Sequence, residues 1–222
     1  DDAIHLGYPR MKRERFVQSL GQIGIENRPR LFVVERGGSN HLGSQVAMDP
    51  TRRRGLERDL AILFIDLRRW TGLAERQFPH DLFYVQELFF EAVGDAVREA
   101  GGVPNQFIGD SVMAIFGAEG EPGAQPEKAA RQALAAARGI EARMAALNER
   151  LAREFGHRFG FGIGIHSGPA ALGEVGYRDT RTFSAVGDTV NTASRLQELT
   201  KQYGVPLVVS ERVALAEELL RT

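Results

Sequence analysis

The feature that most constrains the fold is a regular alternation of short apolar runs with longer amphipathic segments between residues 60 and 210. The first run, Leu60–Asp66, ends in an acid and is typical of a buried strand. The next segment is an amphipathic helix, because Leu82, Val85 and Phe89 recur three or four residues apart, and Gly101 ends it. A chain built in this way alternates strands with helices that cover them.

The later segments continue the alternation. The helix after Pro126 repeats at a four-three spacing that also suits a coiled-coil seam, but its short, alanine-rich repeat favours packing on a sheet. A hairpin signal at Gly109 and Asp110 joins two strands. The remaining predictions are strands over 103–107, 111–116, 161–165, 182–186 and 205–209 and a helix over 189–203. Together they predict an α+β fold, a mixed sheet with helices packed on it.

Two regions are expected in the 222 residues. Residues 1–58 form an N-terminal extension or linker with one strand-like segment, 30–35, and a Gly/Ser/Asn-rich loop, 37–44. The basic run Arg52–Arg54 is interpreted as an exposed linker, with a phosphate or membrane contact as the alternative. Residues 59–222 form the main domain.

Composition excludes several classes of function. The net charge of -1 argues against a general nucleic-acid binder, and the lack of cysteine excludes disulfides, thiolate metal sites and cysteine nucleophiles. The longest apolar run, Leu60–Ile65, is too short to span a bilayer, and no signal-peptide pattern is present. We therefore expect a cytoplasmic domain. Because the sequence does not begin with Met, we expect a piece of a longer protein whose other parts could carry a membrane anchor.

Two acids stand out as candidate metal ligands. Asp66 ends the first apolar run and Asp110 lies in the predicted hairpin turn. A carboxylate at the end of a buried strand costs free energy unless it is paired or binds a cation, and two such acids on neighbouring strands can hold two divalent ions. Taken singly, each acid is equally consistent with a capping or turn residue.

Four segments, in order, resemble the motifs of class III adenylyl and guanylyl cyclases. Residues 63–71 resemble the first metal motif, and residues 101–102 with 106–117 the second. Residues 163–168 resemble the central strand and turn, and residues 186–196 the helix that carries the family's Asn and Arg. The resemblance implies a ferredoxin-like mixed sheet, two divalent cations (Mg²⁺ or Mn²⁺), and conversion of a nucleoside triphosphate into its 3′,5′-cyclic monophosphate and pyrophosphate.

The resemblance also implies roles for individual residues. Asp66 and Asp110 would hold the metals, Asn191 would position the ribose, and Arg195 would stabilise charge on the α-phosphoryl group. The backbone of Leu67, Arg68, Arg69, Trp70 and Thr71 would wrap the phosphates. Family members work as head-to-tail homodimers, so the two acids would come from one protomer and Asn191 and Arg195 from the other.

The base-reading positions depart from the family. Gln106 stands where adenylyl cyclases have Lys, and Ser184 where they have an acid. Because an amide and a hydroxyl can each donate or accept, both adenine and guanine could be satisfied. We expect ATP as the substrate, with a guanylate or dual-specificity cyclase as the alternative.

Two further departures concern the phosphates. Arg69 replaces a common Gly of the first loop, which indicates either an ordinary loop conformation or an added phosphate contact. The sequence stops before the family's late triphosphate-binding Lys, so part of the C-terminal region is expected to be missing. Arg178 or Arg181 could assist the phosphates, although solvated loop arginines are the simpler interpretation.

Two rival functions remain open. A diguanylate cyclase would share two acids, but the chain has Gly109-Asp110-Ser111 in place of that family's turn motif. A degenerate, inactive cyclase-like module for dimerisation or nucleotide sensing is the second. Gln106 and Ser184 favour it, whereas the presence of both acids with Asn191 and Arg195 argues against it.

Overall fold

The computed structural model describes residues 31–34, 55–68, 70, 79–119 and 126–218. Its strands are β1 (Leu31–Val34), β2 (Gly55–Arg68), β3 (Val103–Ile108), β4 (Ser111–Phe116), β5 (Gly160–Tyr177), β6 (Thr180–Val186) and β7 (Leu207–Ser210). Its helices are α1 (Pro79–Glu99), α2 (Pro126–Phe155), α3 (Asp188–Tyr203) and α4 (Glu211–Glu218). The 37–44 loop, the Arg52–Arg54 run, Arg69 and Thr71 lie outside the described residues.

The strands form one seven-stranded mixed sheet in the order β1-β7-β5-β2-β4-β3, with β6 paired to β5. The β2, β3, β4, β5 and β6 pairings are antiparallel, whereas β7 is parallel to both β5 and β1. The predicted α+β architecture is therefore confirmed. The strand-like segment of the N-terminal region joins the sheet beside β7.

Alternation along β2 separates two layers of core. Ala61, Leu63 and Ile65 face the cluster built with α1, α2 and α4. Leu60 and Ile62 face the opposite cluster, which includes Ala193 of α3. Side chains two residues apart share a face of a strand, so Asp66 follows Leu60 and Ile62 onto the α3 side of the sheet.

Strand β5 is longer than the sequence predicts. The prediction ended this strand at Ile165 and placed a turn near Gly168, but the strand continues to Tyr177. It continues because it pairs along the whole of β2, with Pro169 opposite Asp59, and then with β6. His166 is a buried residue of this strand.

Helix α4 was not predicted, and its eight residues follow directly on β7. Val213 and Ala216 of this helix are buried in the larger core cluster. Among the described residues, the helices are all too short or too polar to cross a lipid bilayer.

Candidate active site

Asp66 lies near the end of β2, between two cross-strand partners that are both small residues. Its partners across the sheet are Gly162 of β5 and Ser111 of β4. Only 8% of its surface is exposed. The Ser111 hydroxyl donates a hydrogen bond to Asp66 Oδ1 at 3.0 Å. The strand therefore places a nearly buried carboxylate on the α3 side of the sheet.

The β3–β4 hairpin brings Asp110 to Asp66. Gly109, at φ 58°, allows the tight turn, and the Leu67 amide donates to the Asp110 carbonyl at 3.1 Å. Burial, a hydrogen bond with Asp66 and the charge of Asp66 raise the pKa of Asp110 to about 6. The structure thus brings together the two acids that the sequence singled out, and their proximity disfavours two negative charges without a cation.

Lysine 201, which sequence reasoning missed, supplies a cation to this pair of acids. Lys201 Nζ lies 2.5 Å from Asp66 Oδ2, and Gln197 Nε2 approaches the same oxygen at 3.5 Å. The Lys201 side chain is 56% exposed, so its ammonium group stays hydrated when it moves away from Asp66. The only signal in the sequence was the four-residue spacing of Gln197 and Lys201, which puts both on one face of a helix.

Two glycines of β5 explain why α3 approaches Asp66 so closely. A Cβ on Gly164 would lie 2.2 Å from the backbone nitrogen of Gln197, and one on Gly162 would lie 2.0 Å from Thr200 Oγ1. Side chains at these positions would push the helix off the sheet. The Gly-Ile-Gly spacing thus positions Gln197 and Lys201 over the end of β2.

Asn191 and Arg195 lie on a different face of α3. Both are exposed, whereas Gln197 is 7% exposed and turned toward the sheet. At 100° per residue, Arg195 lies close to Asn191 around the helix and well away from Lys201. Among the described residues, neither side chain has a hydrogen bond or an ion pair, and so neither is bonded to the acids of its own chain.

The two expected base-reading residues meet directly. Gln106 Nε2 donates to Ser184 Oγ at 3.0 Å, and Ser184 is 2% exposed. Ser184 in turn donates to Asn105 Oδ1 at 3.2 Å. Asn105 was not among the residues picked out from the sequence, because a strand would normally turn it away from Gln106.

The expected phosphate loop is described only in part. The Leu67 amide is engaged by Asp110, and the Arg68 guanidinium donates to the carbonyls of Thr200 and Val205 at the end of α3. Trp70 packs against the core and lies 6.4 Å from the Phe159 ring. The Arg68 side chain therefore holds α3 to β2, and a phosphate contact from this loop stays a prediction.

The acids suit a hard divalent cation. The described residues contain no group of three or more His, Cys, Asp and Glu side chains that could form a protein-only metal site. Mg²⁺, however, is usually bound through one or two carboxylates together with substrate phosphates and water. Two adjacent carboxylates, one with its pKa raised by burial and by the other acid, fit that mode of binding.

Comparisons with known proteins identify a family. Residues 55–219 match the adenylate and guanylate cyclase catalytic domain family. An adenylate cyclase from Anabaena cylindrica is 30% identical over 93% of this chain and 36% of its own length. The chain thus spans only about a third of that relative.

Solved structures agree in fold. The guanylyl cyclase Cya2 has a TM-score of 0.66 at 24% identity, covering 73% of this chain and 79% of its own. The adenylyl cyclase CyaB from P. aeruginosa has a TM-score of 0.67 at 22% identity, covering 74% of this chain and 82% of its own. With the family match over most of its length, the chain belongs to the class III adenylate and guanylate cyclase catalytic domains.

Proposed function

We propose that this chain is an adenylate cyclase that converts ATP into 3′,5′-cyclic AMP and pyrophosphate at sites shared between two copies of the chain. The observation that carries the proposal is the division of α3 into two faces. One face bonds to Asp66 of its own chain through Gln197 and Lys201, while the other exposes Asn191 and Arg195. A second copy in head-to-tail arrangement would bring that exposed pair to the acids.

Asp66 and Asp110 would hold two Mg²⁺ or Mn²⁺ ions. Such ions, when bound, lower the pKa of the attacking hydroxyl and neutralise charge on the triphosphate. The ribose 3′-hydroxyl attacks the α-phosphorus in line, and pyrophosphate leaves. Asn191 orients the ribose, and the planar Arg195 guanidinium binds the α-phosphoryl oxygens as their charge grows.

An exposed apolar hairpin supports the dimer. The β5–β6 hairpin leaves the main order of the sheet and carries four exposed apolar side chains: Val175, Tyr177, Phe183 and Val186. Exposed apolar groups on one segment are typical of an association surface. We assign this hairpin to the contact with the second copy. The same second copy would provide the acids on which Asn191 and Arg195 act.

Adenine is the base favoured by the curated relatives. The Anabaena cylindrica relative is named an adenylate cyclase, although Cya2 is named a guanylyl cyclase. The uncharged pair of Gln106 and Ser184 gives weaker discrimination than a charged pair would. Guanylate or dual cyclase activity is therefore the second candidate.

We assign this chemistry to residues 59–222 and give residues 1–58 no catalytic role. An ATP-dependent site of this kind belongs in the cytoplasm.

Product analysis tests the proposal. The purified dimer is incubated with ATP or GTP in Mg²⁺ and in Mn²⁺, and the nucleotide products are separated, with Asp66→Ala as the inactive control. Cyclic AMP with one pyrophosphate per turnover is expected. A GTP rate well above the ATP rate would replace adenylate by guanylate cyclase. Metal-dependent binding of a nucleotide analogue without pyrophosphate release would identify an inactive nucleotide-sensing module instead.

A further inference from the structure

An irregularity in β3 places Asn105 beside the base-reading pair. The pairing with β4 runs from Pro104 opposite Ala114 to Gln106 opposite Met113, so Asn105 is the extra residue of a β-bulge. In a regular strand Asn105 and Gln106 would face opposite sides of the sheet, but a bulge redirects one of them. Here the side chains of both residues reach Ser184.

The hydrogen bonds of this group have one consistent direction, set by a backbone carbonyl. The Phe183 carbonyl can only accept, and Asn105 Nδ2 donates to it at 2.5 Å. The amide oxygen of Asn105 must then face Ser184, whose hydroxyl donates to it. Because that hydroxyl proton is used, Ser184 Oγ can only accept from Gln106 Nε2.

This direction fixes what the pair offers to a ligand. Ser184 Oγ keeps a lone pair that can accept a hydrogen bond, but its proton is already donated to Asn105. The Gln106 amide cannot turn around, because its oxygen would then face Ser184 Oγ, and both atoms would be acceptors. Adenine carries an amine at position 6, which donates, whereas guanine carries a carbonyl oxygen there, which accepts. A Ser184 oxygen that only accepts satisfies the adenine amine and opposes the guanine carbonyl.

We propose that Asn105 is a specificity-determining residue that favours ATP over GTP by holding the Ser184 hydroxyl proton away from the base. The inference rests on the proposed function, in which the base lies against Gln106 and Ser184. Without Asn105, the hydroxyl and the Gln106 amide can turn together and satisfy either base. Asn105 thus removes an ambiguity that Gln106 and Ser184 alone would leave.

The test compares Asn105→Ala with Asn105→Asp in the purified dimer. Alanine removes the acceptor for the Ser184 proton, whereas aspartate keeps that acceptor and loses only the amide donor to the Phe183 carbonyl. The ratio of kcat/KM for GTP to that for ATP is expected to rise about tenfold in Asn105→Ala, the effect of one mismatched hydrogen bond, and to stay near the wild-type value in Asn105→Asp. Thermal unfolding of each variant shows that it is folded.

A double substitution separates a polar role from a structural one. In a Ser184→Ala background there is no hydroxyl to orient, so Asn105→Ala should leave the GTP-to-ATP ratio unchanged. An unchanged ratio in the single Asn105→Ala variant, or an equal rise in the Ser184→Ala background, would overturn the inference.

The same comparison can be made without turnover. Dissociation constants for non-cyclisable ATP and GTP analogues, measured with Mn²⁺, should shift in the same sense as kcat/KM. If the wild-type protein binds both analogues but forms no cyclic nucleotide, the proposed function fails. The ratio of the two dissociation constants in the Asn105 variants still tests the role of Asn105. If it binds neither analogue, both proposals are overturned.

Discussion

The two faces of helix α3 differ in whether their polar side chains are bonded to other residues of the chain. On the inner face, Gln197 and Lys201 bond to Asp66, and the glycines at 162 and 164 admit the helix to the sheet. On the outer face, Asn191 and Arg195 are exposed and make no contact with Asp66 or Asp110 in their own chain. Under the proposed function, the inner face of α3 supports the metal half of a site in its own chain, and the outer face supplies the other half to a second copy.

The two faces meet different physical requirements. A buried carboxylate has to be compensated within its own chain, and Lys201 and Ser111 do so for Asp66. A guanidinium that acts only on a substrate needs no such support and is free to remain in water. Substitutions on the two faces should accordingly have different consequences for metal binding, folding and activity.

The largest effect is expected from Asp66→Asn. If Asp66 and Asp110 hold the metals as proposed, loss of one of these carboxylates should lower kcat by at least about 1,000-fold, because several kcal/mol of charge stabilisation are lost. The rise in melting temperature that Mn²⁺ gives the wild-type protein should disappear as well. Calorimetry with and without Mn²⁺ measures this. Retention of both the metal-induced shift and the activity would remove Asp66 from the metal site.

Arg195→Ala should lower kcat by about 100-fold to 1,000-fold, the usual loss when one donor to a developing anion is removed. Because Arg195 is exposed and no ion pair in the described structure depends on it, its loss should leave the melting temperature and the Mn²⁺-induced shift unchanged. Arg153→Ala, an exposed arginine of α2, is the matched control. A loss of metal binding in Arg195→Ala would contradict a role of Arg195 that is confined to the substrate.

Lys201→Met should have the smallest effect, and in the opposite direction. Since the ammonium group lies 2.5 Å from Asp66 Oδ2, it competes with any cation for that oxygen. Its removal should tighten Mn²⁺ binding in the absence of nucleotide by a few-fold, the size of a partly exposed ion pair. Titration calorimetry measures the change, with Lys128→Met of α2 as the control. Weaker binding in Lys201→Met would mean that the lysine supports the metal site.

Local patterns in the sequence were enough to predict most of the fold. The period of apolar residues located β2, α1, α2 and α3, and a single Gly-Asp pair located the hairpin that holds Asp110. The full length of β5 could not be predicted, because residues 166–177 are held as a strand by pairing with β2 and β6. Helix α4 depends in the same way on packing against the core.

The residues of the proposed site were named from recognisable motifs. The structure brings Asp66 to Asp110 and Gln106 to Ser184, while the roles of these residues stay predictions. Lys201 and Asn105 were missed for physical reasons. Lys201 reaches Asp66 only because two glycines lower α3 onto the sheet, and Asn105 reaches Ser184 only through a bulge. Neither effect is visible in residue spacing.

The most direct test of the shared site is to mix two inactive variants, Asp66→Asn and Arg195→Ala, in equal amounts. If the two halves come from different chains, half of the dimers carry one intact site, and the mixture should recover about a quarter of wild-type cyclic AMP production. Differently tagged chains show that mixed dimers have formed. A mixture that forms mixed dimers yet stays as inactive as its components would contradict the account.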